Sequence, residues 1–144
     1  MMRLPDPRLP WPIPAAAVAL IAEAEQGPLG GMARKAYKCP AGKWTIGWGE
    51  TDGVSPGDVI DDARGDRMLC DDLKQRCAAV QALCKVPANP NELGALVSLA
   101  YNIGLGALGR STVLRCHNAG DAASAARAFG LWNQYRNPKT GQDR

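Results

Sequence analysis

Two side chains in this sequence stand where acid–base chemistry could be done, Glu25 and Thr45. Val18, Ile21, Ala22 and Glu25 fall at i, i+3, i+4 and i+7, which sets Glu25 on the apolar stripe at the end of a helix while Glu23 lies on nearly the opposite side. Burial and the negative end of the helix dipole would both raise the pKa of a carboxyl placed there, as a general acid working near neutral pH requires. The same spacing suits a helix-end carboxylate paired with Arg34 or Lys35, and on spacing alone that structural role is the more common one. Thr45 stands beside Gly47, where a missing side chain lets a ligand or another backbone approach a hydroxyl closely.

Two elements must hold these groups. Pro14 suits the first turn of a helix that runs to about Glu25 and is ended by Gly27 and Pro28. Ala36 to Thr51 reads as a β-hairpin, with Pro40 and Gly42 at positions i+1 and i+3 of a type I turn. After the turn, Lys43, Thr45 and Gly47 alternate with Trp44, Ile46 and Trp48, so that the tryptophan face packs and the threonine face stays open. Trp48 is then a packing residue before it is a platform for a ligand.

Downstream the pattern turns helical. Asp61 and Asp62 can cap a helix whose stripe is Leu69, Leu73 and Val80, with Gly65 as a break in its first turn. Asn89, Pro90 and Glu92 occupy N-cap, N1 and N3 of the next helix, which keeps the period of Leu93, Leu96, Val97, Ala100 and Tyr101 and is closed off by Gly104, Gly106 and Gly109. Ser111 and Thr112 start a short helix, and Asp121 caps another in which Ala122, Ala125, Ala126 and Phe129 share a face that reads as core packing. Residues 1–14 hold five of the eleven prolines and read as an extended surface arm. The apolar run Ala15 to Ala22 is too short to span a bilayer and has no clear cleavage site.

Composition excludes several classes. The 144 residues have room for one domain, and 17 basic against 14 acidic residues give a net charge of +3, mild enough for an anionic polymer but short of a nucleic-acid footprint. Five cysteines, an odd number, point to a reducing compartment of synthesis. Cys70, Cys77 and Cys84 recur every seven residues, about 10.5 Å apart along a helix, beyond the reach of a disulfide or a shared metal. His117, just before Asn118-Ala119-Gly120, reads as a surface or capping histidine, so no metal site and no cofactor are expected.

Ala36-Tyr37-Lys38-Cys39-Pro40-Ala41-Gly42-Lys43-Trp44-Thr45-Ile46-Gly47-Trp48-Gly49 resembles the hairpin of the phage lysozymes, endolysins of the glycoside hydrolase family 24 type. Ser55-Pro56-Gly57-Asp58-Val59-Ile60, and the stretches Ala100-Tyr101-Asn102-Ile103-Gly104 and Asn118-Ala119-Gly120-Asp121, resemble that family's later segments, so the likeness runs from about Ala15 to Trp132. It implies an α+β, mainly helical, lysozyme-like fold in which a small hairpin lobe, about 27–60, is joined by a long helix to a helical lobe, about 61–144 with the first helix. Residues 15–144 would then form one domain behind the arm. The family's catalytic set is a Glu on the first helix, an Asp or sometimes a Cys on the hairpin and a Thr on its second strand, places held by Glu25, Cys39 and Thr45. Asn102, Gly47 and Glu50 would be the substrate-binding residues, Asn102 serving equally as a helix-end amide and Glu50 standing where the family usually has the histidine of Gly-His-Thr.

The activity implied is hydrolysis of the β-1,4 bond between N-acetylmuramic acid and N-acetylglucosamine in peptidoglycan. The alternatives are a lytic transglycosylase on the same bond or a non-catalytic wall-binding module. Synthesis in the host cytoplasm and passage to the periplasm and wall at lysis, through a holin, would follow, without nucleic-acid binding or stable membrane insertion. Two departures stand out. Pro28-Leu29-Gly30-Gly31-Met32 lengthens the turn after Glu25, and the segment Asn137 to Arg144 reads as a polar end where the family continues into a further helix. The second predicts an uncovered apolar patch, hence a marginally stable monomer or a weak homo-oligomer.

Overall fold

The computed structural model describes residues 3–25 and 30–136, with side chains as far as Gly130. The lengthened turn at 26–29 and the tail from Asn137 lie outside these residues. The chain divides into two compact units, Met1–Gln75 and Arg76–Arg144.

In the first unit, α1 (Ala15–Ala24) starts after Pro14 and buries Val18, Ile21 and Ala22. Strands β1 (Ala33–Lys38) and β2 (Trp44–Gly47) form an antiparallel hairpin with Tyr37 opposite Thr45 and Lys38 opposite Trp44. Its turn is the expected one: the Gly42 N–H donates to the Cys39 carbonyl at 2.8 Å, and the Cys39 N–H to the Lys43 carbonyl at 2.9 Å. The outer edge of β1 is paired in turn, by Ala36 N–H to Asp58 O and Ile60 N–H to Arg34 O.

Helix α2 (Asp62–Leu83) carries the floor of this unit. Asp61 accepts the Arg64 N–H at 2.7 Å, a cap of the expected kind. Gly65 does not break the first turn. A Cβ there would meet the Met32 sulfur at 2.0 Å, so the glycine makes room for a side chain from the hairpin lobe. One turn on, Asp66 is 1% exposed and fully engaged: it accepts the Trp48 indole N–H at 3.0 Å, the Asp6 N–H at 3.1 Å and the Arg3 guanidinium. Cys70 donates to the Pro10 carbonyl. The proline-rich arm is therefore not simply laid on the surface, and Pro5 and Ile13 are buried.

The second unit is built on apolar periodicity. Helix α3 (Pro90–Gly109) opens with a complete capping box between Asn89 and Glu92 and buries Leu93, Leu96, Val97, Leu99 and Ala100. At Gly104 the backbone leaves the helix (φ 84, ψ 160) before one more turn forms. Helix α4 (Thr112–Asn118) is capped by Ser111, and α5 (Ala122–Arg136) by Asp121, which accepts the Ser124 N–H at 3.0 Å. Two expectations change here. His117 is neither surface nor cap: it is 6% exposed, with Nε2 2.8 Å from the Val86 carbonyl, to which it donates. Ala122 and Ala126 are exposed instead of buried, and their face lines an apolar groove of about 240 Å³ together with Leu96, Val113 and Phe129.

All five cysteines are free thiols, and the described residues hold no cluster of three metal-binding side chains.

Candidate active site

Glu25 caps the C-terminus of α1, its N–H donating to Ile21 O at 3.0 Å and Ala22 O at 3.3 Å. Its side chain is half-buried, whereas Glu23, the other acid on the helix, is exposed. Arg34, a possible partner for Glu25, is turned elsewhere and donates twice to Asp62, at 2.8 and 3.0 Å. The Glu25 carboxylate lies instead against a turn of the hairpin lobe: Oε2 would be 3.0 Å from a Cβ on Gly49.

That turn follows β2 and is closed at both ends, by Ile46 N–H to Glu50 O at 2.9 Å and Glu50 N–H to Ile46 O at 3.0 Å. To close so tightly it takes Gly47 to φ 66 and Gly49 to φ 97, which side chains other than glycine resist. Gly47 does leave a space. Its occupant is the chain's own Glu50, whose Oε1 would sit 2.6 Å from a Gly47 Cβ and accepts the Trp48 N–H at 2.9 Å. The space expected at Gly47 for a ligand or another backbone is thus taken by the chain's own Glu50, and each completes the other.

On the hairpin, residues facing each other across the ladder and residues two apart share a face, so Tyr37, Cys39 and Thr45 come together. That face is not open as alternation suggested. Thr45 is 3% exposed, while Trp44 on the supposedly packed face is half-buried beneath Lys38, 5.9 Å from its ring centre. The Thr45 hydroxyl has a single hydrogen. It donates to the Lys43 carbonyl at 3.0 Å and lies within hydrogen-bonding reach of the Cys39 thiol. Cys39 is held below the ordinary thiol range, first by the Lys43 backbone and, against some burial, by Thr45, Ala41 and Gly42. Tyr37 is pushed up by burial and by the negative charges of Cys39, Glu25 and Glu50. Glu50 is raised to about 7, chiefly by burial and then by Asp72 and Glu25, with the Trp48 N–H working the other way.

Glu25, Cys39, Thr45, Gly47 and Glu50 therefore belong to one unit. Asn102 lies half-buried on α3, in the other. Sequence reasoning missed Tyr37, Gly49 and Asp72. Tyr37 could have been found by counting back from the turn, since a loop at 40–42 sets it opposite Thr45. Gly49 and Asp72 meet the site only through tertiary packing and left no local signal.

The profile of the phage lysozyme family matches residues 28–142. The endolysin of Acyrthosiphon pisum secondary endosymbiont phage 1 is 38% identical over 104 residues, 72% of this chain and 71% of that protein. Among solved structures, the muramidase domain of SpmX from Asticaccaulis excentricus superposes with a TM-score of 0.72 at 36% identity, covering 85% of this chain and 80% of that one. A P22 lysozyme mutant gives 0.71 at 36% identity, covering 83% and 82%. Against the endolysin of Bacillus phage B103 the chain spans a smaller share, 41% of that protein. A matched profile over most of its length, endolysin relatives and solved lysozyme structures of the same fold agree, and the chain belongs to the phage lysozyme family.

Proposed function

We infer that this chain is an endolysin-type muramidase, a glycoside hydrolase that cuts the β-1,4 bond between N-acetylmuramic acid and N-acetylglucosamine and so lyses the host cell. The observation that carries the reading is the juxtaposition of a helix-end carboxyl, Glu25, with the hairpin turn at Gly49, in the same unit as the Thr45–Cys39 hydroxyl–thiol pair, in a chain whose relatives are endolysins and muramidases.

Glu25 acts as the general acid, passing its proton to the glycosidic oxygen as the bond to the anomeric carbon breaks. Thr45 holds the water that attacks that carbon, and the proton this water sheds passes to solvent, from which Glu25 is reprotonated. The Thr45 hydroxyl hydrogen is committed to the Lys43 carbonyl, which leaves oxygen lone pairs to accept from the water. Cys39 is a positioning residue, its sulfur within hydrogen-bonding reach of that hydroxyl. Tyr37 stands opposite Thr45 across the hairpin. The chemistry asks for a proton and a water, and no cofactor enters. Lys35, Lys38 and Lys43, all exposed on the hairpin, suit an anionic wall polymer. The enzyme acts on the wall at lysis, made in the host cytoplasm and released through a holin.

Glu25→Gln keeps the shape of the side chain and removes its proton. Lysis of permeabilised Gram-negative cells should fall at least about a hundredfold, whereas Glu23→Gln, on the exposed side of α1, should leave the rate within about twofold. Equal losses from the two variants would remove Glu25 from its role, and 1,6-anhydro ends in the digest would make the reaction a transglycosylation.

A further inference from the structure

One acid in this neighbourhood has no part in that reaction. Glu50 folds back under its own turn, taking the Trp48 N–H on Oε1 at 2.9 Å and filling the space left by Gly47, whose Cβ it would approach to 2.6 Å. Gly49, between them in the same turn, carries the Glu25 carboxylate against its backbone. The charges acting on Glu50 come from Asp72 on α2 and, once it has given up its proton, Glu25 at the end of α1, and Tyr37 on β1 shares the field of Glu50 and Glu25. Two carboxyl groups thus meet at the turn from Gly47 to Glu50, within the field of a third, Asp72. An ionised Glu50 would stand desolvated in the field of Asp72. A neutral one keeps its acceptor bond to Trp48 and gains a proton to donate.

We propose that Glu50 is a positioning residue that works as an uncharged acid: protonated, it fills the space at Gly47 and holds closed the turn on which Glu25 rests, and on ionising it leaves that desolvated space, loosens the turn and ends activity on the alkaline side. The proposal rests on the reading of Glu25 as the acid of the reaction. The rise of Glu50 from its ordinary 4.5 to about 7 agrees with it. The sign follows directly. Between those two values the folded protein holds a proton that the unfolded chain has released, so the contribution of Glu50 to stability is complete below 4.5 and is lost as pH rises through about 7. Because Glu25 and Glu50 sense each other, the pair should titrate in linked steps.

The test is the pH–rate profile of the full chain and its Glu50→Gln variant on purified peptidoglycan. Glutamine keeps the carbonyl that accepts from Trp48 and never ionises. At about pH 6 the variant should stay within about threefold of the parent, while the alkaline limb, centred near 7 in the parent, should move up by about one pH unit or more. Glu50→Ala, which leaves the Trp48 N–H without its acceptor, should lose about tenfold at every pH. An unmoved alkaline limb in Glu50→Gln would overturn the proposal, and so would a tenfold loss at pH 6, which would make the Glu50 proton itself part of the chemistry. Should the parent prove inactive on peptidoglycan at all pH values, the muramidase reading fails by itself. Carboxyl-carbon NMR then decides about Glu50: titration near 7, with the Glu25 signal moving in the same step and that step absent in Glu50→Gln, supports the coupling, and titration near 4.5 refutes it.

Discussion

The hairpin lobe and the helical unit solve the same problem by opposite means. From Pro90 onward the chain buries a leucine-rich stripe and finishes each helix with a local cap, Asn89 with Glu92, Ser111, then Asp121. Between Ala33 and Ile60 there is little apolar periodicity to spend, and order comes from polar closure. The Ile46–Glu50 bridge, the Glu50 bond to Trp48 and the Asp66 carboxylate under the Trp48 indole hold a turn made of glycines. The first device gives bulk stability. The second gives exact placement of a few atoms, and it is the second that lies against Glu25. Its components are few and not interchangeable, so damage to the polar lobe should cost more, and cost function sooner, than comparable damage to the helical unit.

The largest effect on stability is expected at Asp66. Its carboxylate is almost fully buried and serves the arm through Arg3 and Asp6 and the hairpin lobe through Trp48. Asp66→Ala leaves the indole N–H and the Asp6 N–H without acceptors and the guanidinium with only its longer contact to Asp62, at 3.4 Å. Loss of such a group costs about 3 kcal/mol, the exposed part of Arg3 keeping the figure below that of a wholly buried ion pair. Chemical denaturation should register it, and truncation of the arm before Pro10 should recover part of the same loss. A loss under about 1 kcal/mol would show that the arm is ornamental to the lobe.

Next comes Gly49→Ala. A methyl group at φ 97 is strained, at about 1–2 kcal/mol, and would press on Glu25 Oε2 from 3.0 Å. Activity should fall about tenfold at temperatures where the variant is fully folded, because a shift of the acid by a fraction of an ångström spoils its line to the substrate. Circular dichroism and the lysis rate, measured at one temperature, separate the two effects. A rate that follows only the folded fraction would mean that the turn does not position Glu25.

What the sequence could tell differs between the two regions for the same reason. Caps and stripes are written within a few residues, so the starts of α3 and α4, the Pro40–Gly42 turn and the burial of Val18, Ile21 and Ala22 were legible. Polar closure is written across long separations. That Gly65 serves Met32, that Asp66 serves both Arg3 and Trp48, and that Glu50 fills the space at Gly47 depend on which segments meet, and no periodicity announces it. Thr45 shows the limit most directly. Alternation assigned it a face, but whether that face is open depends on the Tyr37 and Cys39 side chains beside it, and it is buried. The exposed Ala122 and Ala126 are the converse case, an apolar face read as core for which the helix pattern alone supplies no cover.

The smallest predicted effect is the one that sharpens the contrast. Asn89 accepts the Glu92 N–H at 2.8 Å and the Glu92 carboxylate accepts the Asn89 N–H at 2.9 Å, so two donors that the start of α3 would leave unmet are satisfied reciprocally. Asn89→Ala removes one of these bonds. The group is exposed, and water can replace the lost acceptor, which limits the cost to about 1 kcal/mol. For a domain of this size such a loss lowers the melting temperature by about 3 °C. Because the cap lies in the helical unit and touches none of Glu25, Thr45 or Glu50, the rate per folded molecule should not change, nor should the position of the alkaline limb. A shift in the pH profile from this substitution would mean that the two regions are energetically one, and that the placement of the acid depends on the apolar unit as much as on its own polar turn.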